Sequence, residues 1–111
     1  MGAKANIIID QGADFATSIT VSDTDGNILD LTNYTGRGQI RKHYTSSTKV
    51  DFTIVFGAVR TDGVVNLSLT NVQTAAMESG RYVYDAELIT DSNTVSRLVE
   101  GIATVTPEVT R

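Results

Sequence analysis

The feature that most restricts this chain is a two-residue alternation of apolar and polar side chains, repeated several times and interrupted by turn-forming clusters. Phe15 to Ser22 sets the pattern, with Phe15, Thr17, Ile19 and Val21 on one side and Ala16, Ser18, Thr20 and Ser22 on the other. Side chains of an extended strand point alternately to opposite faces, so this period puts one face on a core and the other in water. Val50 to Phe56 repeats it, with Phe52, Ile54 and Phe56 on one side, and so does Val64 to Leu69, with Val65, Leu67 and Leu69. Gly38 to Tyr44 holds Ile40 inward and carries Arg37, Gln39, Arg41 and His43 on the opposite face. Asn6 to Asp10 and Ile28 to Leu31 are shorter apolar runs, and two long ones, Tyr82 to Thr90 and Val95 to Val105, flank Asp91-Ser92-Asn93. The breaks, such as Asp23-Thr24-Asp25-Gly26-Asn27 and Thr61-Asp62-Gly63, hold residues that tolerate positive φ at low cost.

Helical spacing occurs once, over about residues 71–79. There Thr70 can cap the start, Val72, Ala75 and Ala76 align, and Gly80 can end the turn. Seven or eight short strands and one helical turn predict an all-β sandwich or barrel. At 111 residues, with no linker-like or low-complexity stretch, the expectation is a single domain over residues 1–111.

Composition removes several function classes. With no cysteine, the chain has no disulfide, thiolate metal site or cysteine nucleophile. A net charge of −4 opposes general affinity for nucleic acid or for an anionic membrane. The start, MGAKANIIID, has only three consecutive isoleucines, whereas a secretory signal needs an apolar run of roughly 7–15 residues and a membrane span about 20. The expectation is a chain without targeting segment or membrane anchor, assembled in a reducing cytoplasm.

The most specific stretch is Leu69 to Tyr84, which ends Glu78-Ser79-Gly80-Arg81-Tyr82-Val83-Tyr84. It resembles the corner before the sixth strand of immunoglobulin-like domains, where a polar helical turn leads into acid-Ser-Gly-x-Tyr-x-Cys. The resemblance implies a Greek-key sandwich with a tyrosine corner at Gly80 and Tyr82, the hydroxyl of Tyr82 reaching back to upstream backbone. Tyr84 stands where the second cysteine would be, and there is no tryptophan, so a disulfide-bonded antibody-type domain is excluded.

A wider likeness runs through IIIDQGADF, DTDGNILDLTNYTGRGQIRK, LSLTNVQTAAMESGRYVYDAEL and VSRLVEGIATVTPEVTR. These blocks resemble small phage virion proteins related to the immunoglobulin-like N-terminal domains of phage baseplate and tail-fibre proteins. The resemblance implies a structural role in a virion assembled in the host cytoplasm: a docking module on tail or baseplate, with capsid decoration as the alternative. It supplies no catalytic residue. A carbohydrate-binding module is a weaker reading, because such sites present coplanar exposed aromatics and this chain has four tyrosines and no tryptophan.

Other candidate chemistry is thin. Asp23-x-Asp25-Gly26-Asn27 is only distantly like a calcium loop, which would have its glycine sixth and a glutamate twelfth, where Tyr34 stands here. His43 is the only histidine, and Asp85 and Glu87 share one strand face without a recognisable facing wall. Asn33-Tyr34-Thr35 and Asn66-Leu67-Ser68 match the glycosylation sequon, by chance in a chain without a signal peptide. The sequence thus predicts no enzyme, cofactor, metal or small-molecule substrate. Arg37, Arg41, Lys42 and Lys49 gather four of nine basic residues into one segment, a candidate patch for an acidic neighbouring subunit. The ends are further candidates. Ile7, Ile8 and Ile9 are apolar toward both faces, and Val105 and Val109 flank Pro107. Such ends suit contact with another copy or another virion protein in a multi-copy assembly.

Overall fold

A computed structural model describes residues 3–110. Two sheets face each other across the core. The larger contains the N-terminal pieces β1 (Ala3–Lys4) and β2 (Ile7–Asp10), then β4 (Thr35–Arg41), β5 (Val50–Asp51), β8 (Gly80–Ile89) and β9 (Val95–Thr106). The smaller contains β3 (Phe15–Thr20), β6 (Thr53–Phe56) and β7 (Val64–Leu69). The order is β1-β9-β8-β4-β5, with β2 also on β9, against β3-β7-β6. A three-stranded sheet facing a larger one, with the chain crossing between them, is an immunoglobulin-like Greek-key sandwich.

The inward sides of the alternating runs supply the core. Val65, Leu67 and Leu69 of β7 lie against Ile40, Tyr84, Ala86 and Leu88, all with at most 6% of their surface exposed. At the centre, where the disulfide of an antibody domain would sit, are aromatic rings. Tyr84 meets Phe52 edge-on at 6.0 Å between centroids, and Phe52 meets Phe15 at 6.4 Å. Edge-on rings contribute about 0.5–1.5 kcal/mol beyond the area they bury.

The tyrosine corner is present: Tyr82 donates from its hydroxyl to the Glu78 carbonyl at 2.7 Å. Burial first, then the nearby Glu78 carboxylate, raises the phenol above its ordinary pKa, with the bond to the Glu78 backbone pulling the other way. The ring therefore stays a neutral donor into alkaline solution. Glu78 is exposed, so water can replace the lost donor in Tyr82→Phe. That substitution should cost about 0.5–1.5 kcal/mol, read as a lower urea midpoint at unchanged slope. Gly80, the other corner residue, opens β8 at φ 133, a conformation side chains disfavour.

Four elements differ from the sequence expectation. Val50 to Phe56 is two strands: β5 pairs with β4 in the larger sheet, β6 with β7 in the smaller, and buried Phe52 carries the chain across. The segment Ile28 to Leu31 makes only a single bridge, Ser22 to Ile28. Asp30 instead folds the chain by accepting from the backbone and hydroxyl of Thr32. The helix is shorter than expected, α1 (Asn71–Ala75), capped reciprocally by Thr70 and Gln73. Its inward residue is Thr74, fully buried and bonded to the Ala13 carbonyl at 2.8 Å, while Val72 is exposed. Finally, the chain ends meet each other. β2 runs parallel to β9 with Ile7 opposite Ala103 and Ile9 opposite Val105. Ile9 and Val105 are core residues of their own domain, so these members of the candidate subunit-contact ends are already covered. Ile7 is half-buried; Ile8 and Val109 point to solvent.

Candidate functional site: the outer face of the larger sheet

On β4 the residues turned away from the core are Arg37, Gln39 and Arg41, and on β8 they are Val83, Asp85 and Glu87. Antiparallel register sets Arg37 opposite Glu87, Gln39 opposite Asp85 and Arg41 opposite Val83. Across β8, Asp85 faces Glu100 and Val83 faces Ile102 of β9. A β-bulge after Ala86 then shifts the register, bringing Arg97 opposite Glu87. Strict alternation from Glu100 would have turned Arg97 inward. The bulge instead buries two neighbours, Leu98 and Val99, and swings Arg97 onto the outer face. The adjacent apolar pair Leu98-Val99 is the sequence sign of this break.

The outer face therefore holds three arginines and three carboxylates. Arg37 bonds Glu87 at 2.7 Å, and Arg97 bonds Glu100 at 2.7 Å and approaches Asp85 at 3.6 Å. Arg41 donates to the Gln39 side chain and to the Ser46 carbonyl, which holds the Lys42–Thr48 loop beside the sheet. Partial burial raises the Asp85 carboxyl above the usual range. Arg97 offsets this, while Glu87 and Glu100 add to it. A raised carboxylate favours the folded state fully below its unfolded pKa, an advantage lost as pH rises through the folded value.

These residues line a shallow groove of about 450 Å³, with Tyr44 at its rim. Tyr44 is 86% exposed. Beside the charges lies a small apolar spot from Val83, Ile102 and Ile8, on three successive strands. The groove thus joins one large exposed aromatic side chain to Val83 and a set of charged groups of both signs.

The basic patch predicted from sequence is divided. Only Arg37 and Arg41 reach the groove. Lys42 sits over the Tyr82 ring, 4.7 Å from its centroid, at one end of the sandwich. Lys49 pairs with Asp51 at 2.8 Å and holds that carboxyl below its usual pKa. The patch is not a block of unopposed positive charge. Elsewhere, the Asp23 carboxylate accepts from the backbone of Asp25 and Asn27, closing the turn on itself. His43 is exposed and its backbone N–H bonds the Ser46 hydroxyl. Among the described residues, no three His, Cys, Asp or Glu side chains gather closely enough to hold a metal ion. No helix there is long and apolar enough to cross a membrane.

No family model matches this sequence, and no curated protein matches it significantly. Among solved structures it is similar to an internalin-like protein of Listeria monocytogenes, at 18% identity and a TM-score of 0.50. The alignment covers 95% of this chain and 28% of that one, so this chain spans little more than a quarter of its length. At that identity the likeness concerns the fold alone.

Proposed function

We infer that this protein is a structural docking module of a phage particle, placed on the tail or baseplate and acting by adhesion rather than catalysis. Two lines support the reading. The four sequence blocks resemble small virion proteins, and the fold is the one that resemblance implies. The observation that carries the adhesive role is the outer face of the larger sheet, where exposed Tyr44 stands over a groove with three arginines and three carboxylates. Exposed aromatic and arginine side chains dominate protein-interface energetics, and matched charges at the rim select the partner. Function, in this reading, lies in that face and not in the sandwich as such.

The test uses phage particles assembled without this protein. Wild-type chain should co-sediment with them. Tyr44→Ala should weaken binding about 10- to 100-fold while leaving thermal melting unchanged, because the ring contributes nothing to the core. Arg97→Glu should act in the same direction and more strongly at low salt. Wild-type affinity in both folded variants would defeat the outer-face reading. Absence of the wild-type chain from such particles would defeat the virion reading.

A further inference from the structure

The smaller sheet has an edge of a different kind. In an immunoglobulin-like sandwich the strand before β3 commonly extends the sheet that contains β3. Here the N-terminal strand lies on β9 instead, so β3 is an open edge. The Val21 N–H bonds the Gly63 carbonyl, so the odd-numbered backbone groups of β3 turn toward β7. In an antiparallel ladder the intervening residues turn the other way. The backbone N–H and C=O groups of Ala16, Ser18 and Thr20 therefore point outward along the free edge.

Natural edges are blunted by lysine, proline, bulges or shortness. β3 has none of these. It pairs regularly over six residues, and no formal charge occurs from Phe15 to Ser22. The other edges are defended: β5 is two residues long and carries Asp51 with Lys49 just before it, and the N-terminal edge carries Lys4 and Asp10. β6 is only four residues long and runs straight out of β5 across Phe52. Next to β3, between the sheets, lies an apolar crevice of about 150 Å³ lined by Ala3, Ala5, Ile7, Thr17 and Ile19 among others.

We propose that β3 is a self-association edge and that its partner is β3 of a second copy, paired antiparallel across a twofold axis. Centred on Ser18, this register sets Ser18 against Ser18 of the partner copy and Ala16 against its Thr20. Each such pair exchanges two N–H···O bonds, about six in all. Each copy carries −4, which opposes association at charged faces, and this edge lets two copies meet across a self-complementary seam with no formal charge. Ala16, Ser18 and Thr20 are small and exposed, so they fit against themselves. The seam also closes the open side of both crevices, covering Ile7, Thr17 and Ile19. The inference concerns the opposite sheet from the docking face and stands independently of it.

Sedimentation equilibrium from about 1 µM to about 1 mM tests it. The wild-type mass should rise from 11.9 kDa to twice that value. Ser18→Lys sets like charges against each other at the axis, and Ser18→Pro removes an outward N–H that pairs with no strand among the described residues. Each variant should melt cooperatively and remain monomeric, whereas Arg97→Glu should dimerise like wild type. A wild-type chain that stays monomeric throughout overturns the proposal. So does a dimer that survives in whichever Ser18 variant is folded, or one lost in Arg97→Glu and kept in the Ser18 variants. The last result would move self-association to the outer face.

Discussion

Gly101→Ala is expected to lower stability by about 2–4 kcal/mol, more than an alanine added to a strand ordinarily costs. The reason is a backbone contact. A Cβ at Gly101 would lie 2.0 Å from the Ala5 carbonyl oxygen and 2.8 Å from its carbon. A flexible side chain could move aside; this obstacle is main chain. The N-terminal strand is broken at Ala5 and Asn6, though its two pieces keep one register on β9, Lys4 opposite Glu100 and Ile7 opposite Ala103. Three bonds hold the break down: Ala5 N–H to the Glu100 carbonyl, Ile102 N–H to the Asn6 side chain, and the Tyr84 hydroxyl to the Ala5 carbonyl at 2.5 Å. Displacing Ala5 strands the Tyr84 hydroxyl in the core, and a buried polar group without partner costs about 1–3 kcal/mol. Chemical denaturation gives the total. Hydrogen exchange should show Ala3 to Asp10 losing protection before the rest of the domain. The comparison variant is Gly26→Ala, whose new Cβ meets nothing within 4 Å although φ is +87. It should cost only the backbone term, about 1 kcal/mol. Equal losses in the two variants would reject the close-contact account.

Arg60→Met is expected to cost about 2–3 kcal/mol. Arg60 begins a short 3-10 turn, Arg60–Asp62, and its guanidinium donates from one nitrogen to the Leu31 carbonyl at 3.0 Å and the Tyr34 carbonyl at 2.9 Å. It also lies 4.1 Å above the Phe56 ring. Its own carbonyl accepts from Leu31 N–H at 3.0 Å. One side chain thereby satisfies the loop that replaces the strand expected at Ile28 to Leu31, and Leu31 is completely buried there. Methionine keeps an apolar side chain beside Phe56 but removes the guanidinium, so the loss measures the two charge-assisted bonds together with the cation–π contact. Because the acceptors are carbonyls and not carboxylates, the difference between wild type and variant should persist in about 1 M salt, where surface ion pairs are screened. A midpoint within error of wild type would mean that water replaces the guanidinium freely.

The alternating runs at Phe15 to Thr20 and Val64 to Leu69, the closed turn at Asp23 to Asn27, the Thr70 cap and the tyrosine corner are all legible along the chain. Each depends on residues a few positions apart: side-chain period, positive-φ tolerance, a hydroxyl reaching four residues back. The outer face of the larger sheet was legible only in part. Arg37 and Arg41 stood out as basic residues on the polar side of a strand, whereas Lys42 and Lys49, adjacent in sequence, lie elsewhere on the molecule. Arg97 is not legible in the sequence because its direction depends on a bulge against β8, nor is Tyr44, because exposure is a property of what fails to pack on it.

What the tertiary structure alone decided is pairing between residues far apart in sequence. Ile7 to Ile9 is apolar on both sides whether a neighbouring subunit or its own β9 covers it, and it lies on β9. Val50 to Phe56 alternates without interruption whether or not the chain changes sheets at Phe52. Side-chain period reports which face of a strand is buried but not which strand lies beside it. That choice belongs to hydrogen bonds and packing among distant segments, and it is what leaves the edge of β3 open.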